Sequence, residues 1–274
     1  MIDRDLIKRA LAEDLQGGED ITSVATVSGS EKVVADFVSR KTGVVAGMDM
    51  ARTVLEEVGL TDIAVLVQDG TSVKAGDVLM TVRGDTRAIL LAERTALNFL
   101  GHLSGIATLT RTWVDAVAGT KCKIRDTRKT TPGMRLLEKY AVRMGGGTNH
   151  RMSLSDAALI KDNHIAAAGG VAEAFSKVRA KFPTSEIEIE VDTLDQLREV
   201  LPLKPDLILL DNMSPAQCAE AVSIVAGATK LEASGGISLE NAKAYAATGV
   251  NFLAIGALTH SAPVFDIGLD LRAE

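Results

Sequence analysis

The second half of the chain alternates short apolar runs with longer stretches of helical periodicity. Six runs have the pattern of buried strands: CKIRDT, DAALIKD, EIEIEVD, DLILLDN, KLEASGG and FLAIGA. Between them, stretches such as AAAGGVAEAFSKVRAKF, DTLDQLREVLPL and SPAQCAEAVSIVAG repeat their apolar residues at helical spacing. Repeated strand–helix units predict a parallel sheet, and apolar strands indicate that both of its faces are covered. Because no GxGxxG motif follows the first strand, we predict an α/β barrel rather than an open doubly wound sheet.

The first part of the chain predicts a smaller mixed α/β domain. The stretch MIDRDLIKRALAEDL predicts an amphipathic helix that ends at Gly17-Gly18. The runs VVADFVSR, GVVAG, IAVLVQDG and DVLMTVRG predict a small sheet, and MDMARTVLEEVG predicts a helix between them. The pattern then becomes helical over TRAILLAERTALNFLGHLSGIATLTRTWVDAV. We expect this long helix to run from the first domain into the second.

Composition limits the classes of protein that fit. A chain of 274 residues with 46% hydrophobic content can form a barrel-sized domain and a smaller one. The net charge of −6 argues against a nucleic-acid or anionic-membrane surface. No stretch reaches the roughly 18 uncharged apolar residues of a membrane span, and the first residues lack a signal-peptide core. Cys122 and Cys218 lie far apart without metal-ligand spacing, so we expect a cytoplasmic protein with two reduced thiols.

Polar residues recur where the predicted strands end. In a parallel barrel these ends share one rim, and active sites lie there. A single charged residue at a strand end would mean little, but polar or glycine residues end all six predicted strands. In chain order they are Arg128 and Lys129, Lys161 and Asp162, Glu190 and Asp192, Asp211 and Asn212, Ser234 with Gly235 and Gly236, and Gly256 with Ala257.

One group on this predicted rim is cationic and comprises Arg128, Lys129, His150, Arg151 and Lys161. A cationic cluster in an acidic protein repels itself unless an anion is bound to it. Arginine forks match carboxylates and phosphates, and lysines act as point charges. The set therefore predicts a ligand with more than one negative group.

Two further groups predict the rest of the ligand. The glycine-rich pieces SGG and IGA expose backbone amides, and a predicted helix over SLENAK follows the first of them, which suits a phosphate. Glu190 and Asp211 suit a sugar, because carboxylates accept hydrogen bonds from hydroxyls and support an oxocarbenium-like transition state. They could also hold a divalent metal, directly or through water.

Phosphate, sugar and polyanion together have the layout of a phosphoribosyl transfer. The same physics also fits a sugar-phosphate aldolase or isomerase, in which Lys161 would form a Schiff base. An aldolase, however, has no need of an arginine cluster for two further anionic groups.

The stretch RDTRKTTPGMRLLEKYAVRMGGGTNHR closely resembles the quinolinate phosphoribosyltransferases. The pieces ALIKDNHI, EIEVD, ILLDNM, EASGGI and AIGALTHS follow in the family's order, and AEDLQGGEDIT, GVVAG and AERTALNFLGHLSGIAT also fit. The resemblance covers almost the whole chain, with a mild departure at Gln16. It implies a type II phosphoribosyltransferase with an N-terminal α/β sandwich domain, residues 1–105 joined by 267–274. The second domain, residues 106–266, is implied to be an incomplete, seven-stranded α/β barrel.

The resemblance also implies substrates and roles. The enzyme would make nicotinate mononucleotide, pyrophosphate and CO2 from quinolinate and phosphoribosyl pyrophosphate with Mg²⁺, in de novo NAD biosynthesis. Quinolinate would be bound by Arg94, Arg128, His150, Arg151 and Lys161, with Arg94 reaching the neighbouring subunit's site in a homodimer. Phosphoribosyl pyrophosphate would be bound by Lys129, Glu190, Asp211, Ser234, Gly235, Gly236, Gly256 and Ala257. The catalytic set would be Lys129, Lys161, Glu190 and Asp211, with Mg²⁺ held through water near the last two.

Some alternatives stay open on the sequence alone. A relative of the molybdenum-locus type, which handles another pyridine or an unknown base, would differ only in its carboxylate-binding residues. A phosphosugar-binding barrel without catalysis is a further alternative, against which Lys129 and the acidic pair argue. Arg94 could also form an ion pair with Glu93 on its own helix.

Overall fold

The computed structural model describes residues 2–272. Within them the chain divides into two compact units. Unit 1 comprises the described residues of Met1–Arg111, Leu136–Gly146 and Ser261–Glu274, and unit 2 comprises Thr112–Arg135 and Gly147–His260. The domain boundaries expected from the resemblance stay predictions. None of the helices in the described part of the chain has the length and apolar content needed to cross a membrane.

The elements follow in chain order. The first are α1 (Arg4–Leu15), α2 (Ile21–Thr26), β1 (Lys32–Ser39), β2 (Gly43–Val44), α3 (Met48–Glu57), β3 (Asp62–Val65), β4 (Ser72–Val73), β5 (Val78–Asp85) and α4 (Thr86–Ala116). Next come β6 (Lys123–Arg125), α5 (Arg135–Met144), β7 (Ala158–Ile160), α6 (Asp162–Ala168), α7 (Val171–Lys181), β8 (Ile187–Val191) and α8 (Leu194–Val200). A short 3₁₀ turn (Leu201–Leu203) precedes β9 (Leu207–Asp211), α9 (Pro215–Val225), β10 (Lys230–Ser234), α10 (Leu239–Ala247), β11 (Phe252–Ala254), α11 (Ala257–His260) and β12 (Ile267–Arg272).

Unit 1 is built on an antiparallel sheet of order β12-β1-β5-β3, with β2 and β4 forming a separate pair. The predicted strands VVADFVSR, IAVLVQDG and DVLMTVRG are confirmed as β1, β3 and β5. Phe37 and Met80, which pair across β1 and β5, are fully buried and belong to the core face of the sheet. The strand β12, close to the C-terminus, pairs with β1 along its whole length.

The helices of unit 1 follow the hydrophobic pattern closely. Helix α1 ends at Leu15, and Gln16 rather than a glycine takes the left-handed conformation that closes it. The predicted long helix is confirmed as α4, whose residues up to Arg111 belong to unit 1. Helix α5, which the sequence did not predict, belongs to unit 1 apart from its first residue.

Unit 2 contains a parallel sheet of order β6-β11-β10-β9-β8-β7. Every predicted strand of the second half is present, so the α/β class is confirmed. Neighbours along the chain are neighbours in the sheet from β7 through β11, and β6 lies beside β11, which is the cyclic order of a barrel rather than a doubly wound sheet. The sheet has six strands where seven were expected, because the seventh position is occupied only by Thr148, which forms a single parallel bridge to Arg125.

Helices follow the strands of unit 2, as predicted. Capping boxes begin α8 at Thr193 and α9 at Ser214, where each side-chain oxygen accepts a backbone N–H of the first turn. The helix predicted over AAAGGVAEAFSKVRAKF is two helices, α6 and α7. The break falls at Gly169, which has a φ of 96° and ends α6 in the left-handed conformation.

Candidate active site

One cavity of about 620 Å³ opens at the carboxyl ends of the strands of unit 2. Every predicted rim residue of the cationic, acidic and glycine-rich groups lines it. Asp162 and Asp192, which also end predicted strands, are not among the lining residues. Residues that follow β6 and β7, the two outer strands of the sheet, line the same cavity. The sheet is therefore curved, and the rim predicted from the sequence exists.

The two arginines of the cavity present positive charge that the protein leaves partly unmatched. The Nε atoms of Arg128 and Arg151 are buried and have no hydrogen-bond partner among the described residues. Burial, and after it the charge of Arg128, lower the pKa of Arg151. One Nη of Arg151 donates to the carbonyl of Ala157 at 2.8 Å, which anchors this side chain. Two guanidinium groups held in this way form a binding site for an anion with planar acceptor groups.

The acidic pair lines the same cavity, and one of its members forms an ion pair with Lys161. Nζ of Lys161 is 2.7 Å from Oε2 of Glu190; the carboxylate is buried, whereas the lysine is 46% exposed. Burial, and after it the charge of Glu190, raise the pKa of Asp211. A cation or the hydroxyls of a sugar placed between these carboxylates would relieve their repulsion.

The glycine-rich loop after β10 is shaped by close packing against the end of β9. Gly235 has a φ of +82°, and a Cβ added there would lie 2.1 Å from Oδ1 of Asn212. The backbone N–H of Asn212 donates to the carbonyl of Ser234 at 2.9 Å, which ties the two strand ends together. Gly236 also has a left-handed φ, of +62°. Consecutive left-handed glycines turn backbone amides toward one point, which suits an anion.

Lys129 is anchored beside the second glycine-rich piece. Its carbonyl accepts a hydrogen bond from Oγ1 of Thr259 at 2.8 Å, which joins the loop after β6 to α11. A Cβ added at Gly256 would lie 3.1 Å from both Cδ of Lys129 and Nε2 of His260. The lysine stem therefore lies against the backbone that precedes Ala257.

Charged residues that the sequence did not single out lie beneath the cavity. Glu188 and Glu232 are buried on strands β8 and β10, and Nε2 of His150 is 2.7 Å from the first and 3.6 Å from the second. Nη1 of Arg125 donates to Glu232 at 2.8 Å. Burial is the largest cause that raises the pKa of each carboxyl to about 7.

Four polar or charged residues outside the cationic, acidic and glycine-rich groups also line the cavity, namely Thr127, Asn212, Glu232 and His260. Signals for three of them existed in the sequence, because Thr127 precedes Arg128 in the RDTRKT motif and Asn212 ends the same strand as Asp211. His260 follows the IGA piece by a single helical turn.

Arg94 is the one predicted site residue that belongs to unit 1. It lies on α4, is exposed, and forms no ion pair with any residue of the described range 2–272. The alternative of an ion pair with Glu93 is therefore not realised. Its expected role in a neighbouring subunit's site stays a prediction.

A curved parallel sheet with an arginine pair, an acidic pair and a glycine-rich anion loop at one edge defines an α/β enzyme that binds a phosphosugar beside a polyanion. Residues 20–104 match the family model for the quinolinate phosphoribosyl transferase N-terminal domain, and residues 106–270 match the model for the C-terminal domain. The chain belongs to the quinolinate phosphoribosyltransferase family.

Similar proteins cover the chain almost end to end. A nicotinate-nucleotide pyrophosphorylase (carboxylating) of Mycobacterium leprae is 56% identical over 98% of this chain and 96% of its own. A probable enzyme of the same name from Bacillus subtilis is 41% identical over 98% of this chain and 93% of its own. The crystal structure of nicotinate-nucleotide pyrophosphorylase from Ehrlichia chaffeensis is 40% identical, covers 98% of both chains and has a TM-score of 0.94.

Proposed function

We propose that the enzyme transfers the phosphoribosyl group of phosphoribosyl pyrophosphate to quinolinate and releases CO2, which yields nicotinate mononucleotide and pyrophosphate. The observation that carries the proposal is the pair of half-buried arginines, Arg128 and Arg151, whose buried Nε atoms lack a hydrogen-bond partner within the described range, in the same cavity as a phosphate-type glycine loop. Two planar cations match the two carboxylates of quinolinate. The names of relatives, nicotinate-nucleotide pyrophosphorylase and quinolinate phosphoribosyltransferase (decarboxylating), agree with this reaction, which the proposal assigns to de novo NAD biosynthesis.

The transfer step needs positioning and charge stabilisation rather than a covalent intermediate. The ring nitrogen of quinolinate attacks the anomeric carbon while the bond from that carbon to pyrophosphate breaks. Glu190 and Asp211 accept hydrogen bonds from the ribose hydroxyls and offset the positive charge that develops on the sugar. Lys129 offsets charge on the departing pyrophosphate, and Ser234 to Gly236 with Gly256 and Ala257 hold the 5-phosphate.

Decarboxylation follows from the pyridinium that the transfer creates. The bond between the ring and the carboxylate beside the nitrogen breaks, CO2 leaves, and the electron pair stays on the ring carbon. The adjacent positive nitrogen stabilises that pair, and a proton from water then replaces CO2. Arg128, Arg151 and Lys161 orient the ring through its carboxylates, so the carboxylate beside the nitrogen is held in a fixed position.

The acidic pair suits Mg²⁺ that is bound through water. Burial, and after it the like charge of Glu190, raise the pKa of Asp211, and a dication would lower the repulsion between the two carboxylates. Oxygen donors of this kind are those that Mg²⁺ prefers. When bound, the ion supplies charge neutralisation for the pyrophosphate.

The proposal extends to a cytoplasmic homodimer. Arg94 supports it, since an exposed arginine without an ion pair in the described part of its own chain is available to a ligand in another subunit. Cys122 and Cys218 are buried free thiols, which fits a reducing compartment.

The test is to incubate the protein with quinolinate, phosphoribosyl pyrophosphate and Mg²⁺ and to measure CO2 and nicotinate mononucleotide. Both products should appear in equal amounts. A parallel reaction with nicotinate should give almost no product, because it lacks one of the carboxylates. Equal turnover of nicotinate, or no product from quinolinate, would contradict the proposal.

A further inference from the structure

Both ring nitrogens of His150 lie against protein groups: Nδ1 forms a hydrogen bond, and Nε2 makes an ion-pair contact that lacks hydrogen-bond geometry. Nδ1 accepts a hydrogen bond from the backbone N–H of Arg151 at 2.8 Å. A nitrogen that accepts such a bond carries no proton, so the geometry assigns the proton to Nε2, which lies 2.7 Å from Oε2 of Glu188. The side chain is only 5% exposed. His150 therefore joins the backbone of Arg151 to a buried carboxylate.

Other buried groups hold the chain segment around His150. The fully buried Asp126 accepts the backbone N–H of His150 at 2.8 Å and the side-chain amide of Asn149 at 2.5 Å. Nε of Arg125 donates to the carbonyl of Asn149 at 3.3 Å, while Nη1 of the same residue binds Glu232. The segment that leads into Arg151 is thus fixed to strands β6, β8 and β10 before any ligand arrives.

The position of Arg151 decides where a carboxylate can bind. Its side chain lines the cavity and is anchored by a hydrogen bond to the carbonyl of Ala157. A bidentate arginine contact depends on the direction of the fork, so a small shift of the backbone weakens it. Groups that fix the backbone N–H of Arg151 therefore affect the affinity for the ligand without contacting it.

We propose that His150 is a positioning residue rather than a ligand of quinolinate, and that Glu188 acts through it to place the guanidinium of Arg151. This inference rests on the proposed function, because quinolinate affinity is what reports the position of Arg151. Recognition of the carboxylates then falls on Arg128, Arg151 and Lys161 within this chain.

An electrostatic role and a positioning role of Glu188 predict opposite changes of quinolinate affinity when its carboxylate is removed, so one substitution distinguishes them. Removing a negative charge beneath an anion site should strengthen anion binding if charge alone matters. If position matters, Glu188→Leu should weaken quinolinate binding because the imidazole loses the carboxylate that lies 2.7 Å from its Nε2. Glu188→Gln keeps an acceptor oxygen at nearly the same place and should restore the affinity.

The experiment measures the dissociation constants of quinolinate and of phosphoribosyl pyrophosphate by calorimetry on the full-length protein. We expect Glu188→Leu and His150→Ala each to raise the constant for quinolinate about tenfold, the usual size of one lost buried hydrogen bond. The double variant should be no worse than the weaker-binding single variant, because both changes break the same connection. The constant for phosphoribosyl pyrophosphate should stay within about twofold of wild type. The exposed neighbour Glu186 provides the control, and Glu186→Gln should leave both constants unchanged.

Three results would overturn the inference. They are unchanged or tighter quinolinate binding in Glu188→Leu, multiplied losses in the double variant, and an equal loss in Glu188→Gln. If Glu188→Leu does not fold, His150→Asn decides instead, because its side-chain oxygen can accept the N–H of Arg151 in place of Nδ1. Affinity kept in His150→Asn but lost in His150→Ala supports the inference, and equal loss in both contradicts it. A wild-type protein that forms no nicotinate mononucleotide would contradict the proposed function and is recognised before any variant is compared.

Discussion

The phosphate side and the carboxylate side of the cavity are built by different means. The phosphate side uses backbone, with the left-handed Gly235 and Gly236 packed against Asn212 at the end of β9. The carboxylate side uses charged side chains, with Arg128 and Arg151 above a buried layer that contains Glu188 and Glu232. Backbone recognition needs only local shape, whereas a pair of half-buried cations needs counter-charges and anchors from distant strands. The two sides should therefore respond differently to substitution.

The largest effect is expected for Arg151→Ala on the carboxylate side. Removing one bidentate charged partner costs about 2–5 kcal/mol of binding, so quinolinate affinity should fall by about two orders of magnitude. Calorimetric titration with each substrate measures the effect. The affinity for phosphoribosyl pyrophosphate and the circular dichroism spectrum should be retained. Unchanged quinolinate binding would remove Arg151 from the site.

Arg94 tests whether the carboxylate side is complete within one chain. Arg94→Ala and Lys161→Ala should each abolish most activity as homodimers. After subunit exchange, about half of the dimers are mixed and each has one intact site if sites are shared, so about a quarter of wild-type activity should return. The assay measures nicotinate mononucleotide in mixtures, with exchange confirmed by two affinity tags. Confirmed exchange without recovery would show that Arg94 does not serve the neighbouring site.

The rim could be predicted from the sequence because its residues follow strands. In a sequence such as DLILLDN, the change from apolar to polar residues predicts where the strand ends. Parallel strands bring such ends together at one rim. That argument reached Lys161, Glu190, Asp211 and the glycine pieces without any knowledge of distances. Parallel pairing along β8, β9 and β10 then realises it.

The buried layer could not be predicted in the same way. Glu188 and Glu232 lie inside strands, where alternating polar residues usually indicate a solvated face. They meet His150 only because the sheet curves and its inner face is closed. Helix α5 was missed for a related reason, since Glu138 and Lys139 are fully buried and hide its apolar side. The buried carboxylate of Glu138 lies 2.9 Å from Nε2 of His102, a hydrogen-bond partner that no local sequence pattern reveals.

Gly235→Ala tests the backbone side of the comparison. The Cβ of the new alanine would lie 2.1 Å from Oδ1 of Asn212. The backbone at this position also has a φ of +82°, which alanine disfavours. The loop must shift, so the KM for phosphoribosyl pyrophosphate should rise about tenfold while quinolinate affinity changes little. Gly227→Ala is the matched control, because Gly227 has nearly the same φ but nothing within 4 Å of the added Cβ. An equal change of KM in both variants would mean that backbone strain alone, and not the packing against Asn212, is responsible.

The last prediction concerns stability rather than binding and tests the buried layer on the carboxylate side. The pKa of Glu232 is raised to about 7, mainly by burial and then by the charge of Glu188, so between about pH 4.5 and pH 7 the native protein binds a proton that the unfolded chain has released. Stability linked to this group is thus present at low pH and is lost as the pH rises through about 7. Glu232→Gln does not titrate and should lessen the fall in stability between about pH 5 and pH 8 by on the order of 2 kcal/mol. Thermal unfolding at a series of pH values measures this difference, with the exposed Glu186→Gln as control. A wild-type and a Glu232→Gln protein with parallel pH dependence would show that the Glu232 carboxylate is stabilised by Arg125 as fully as it would be by water.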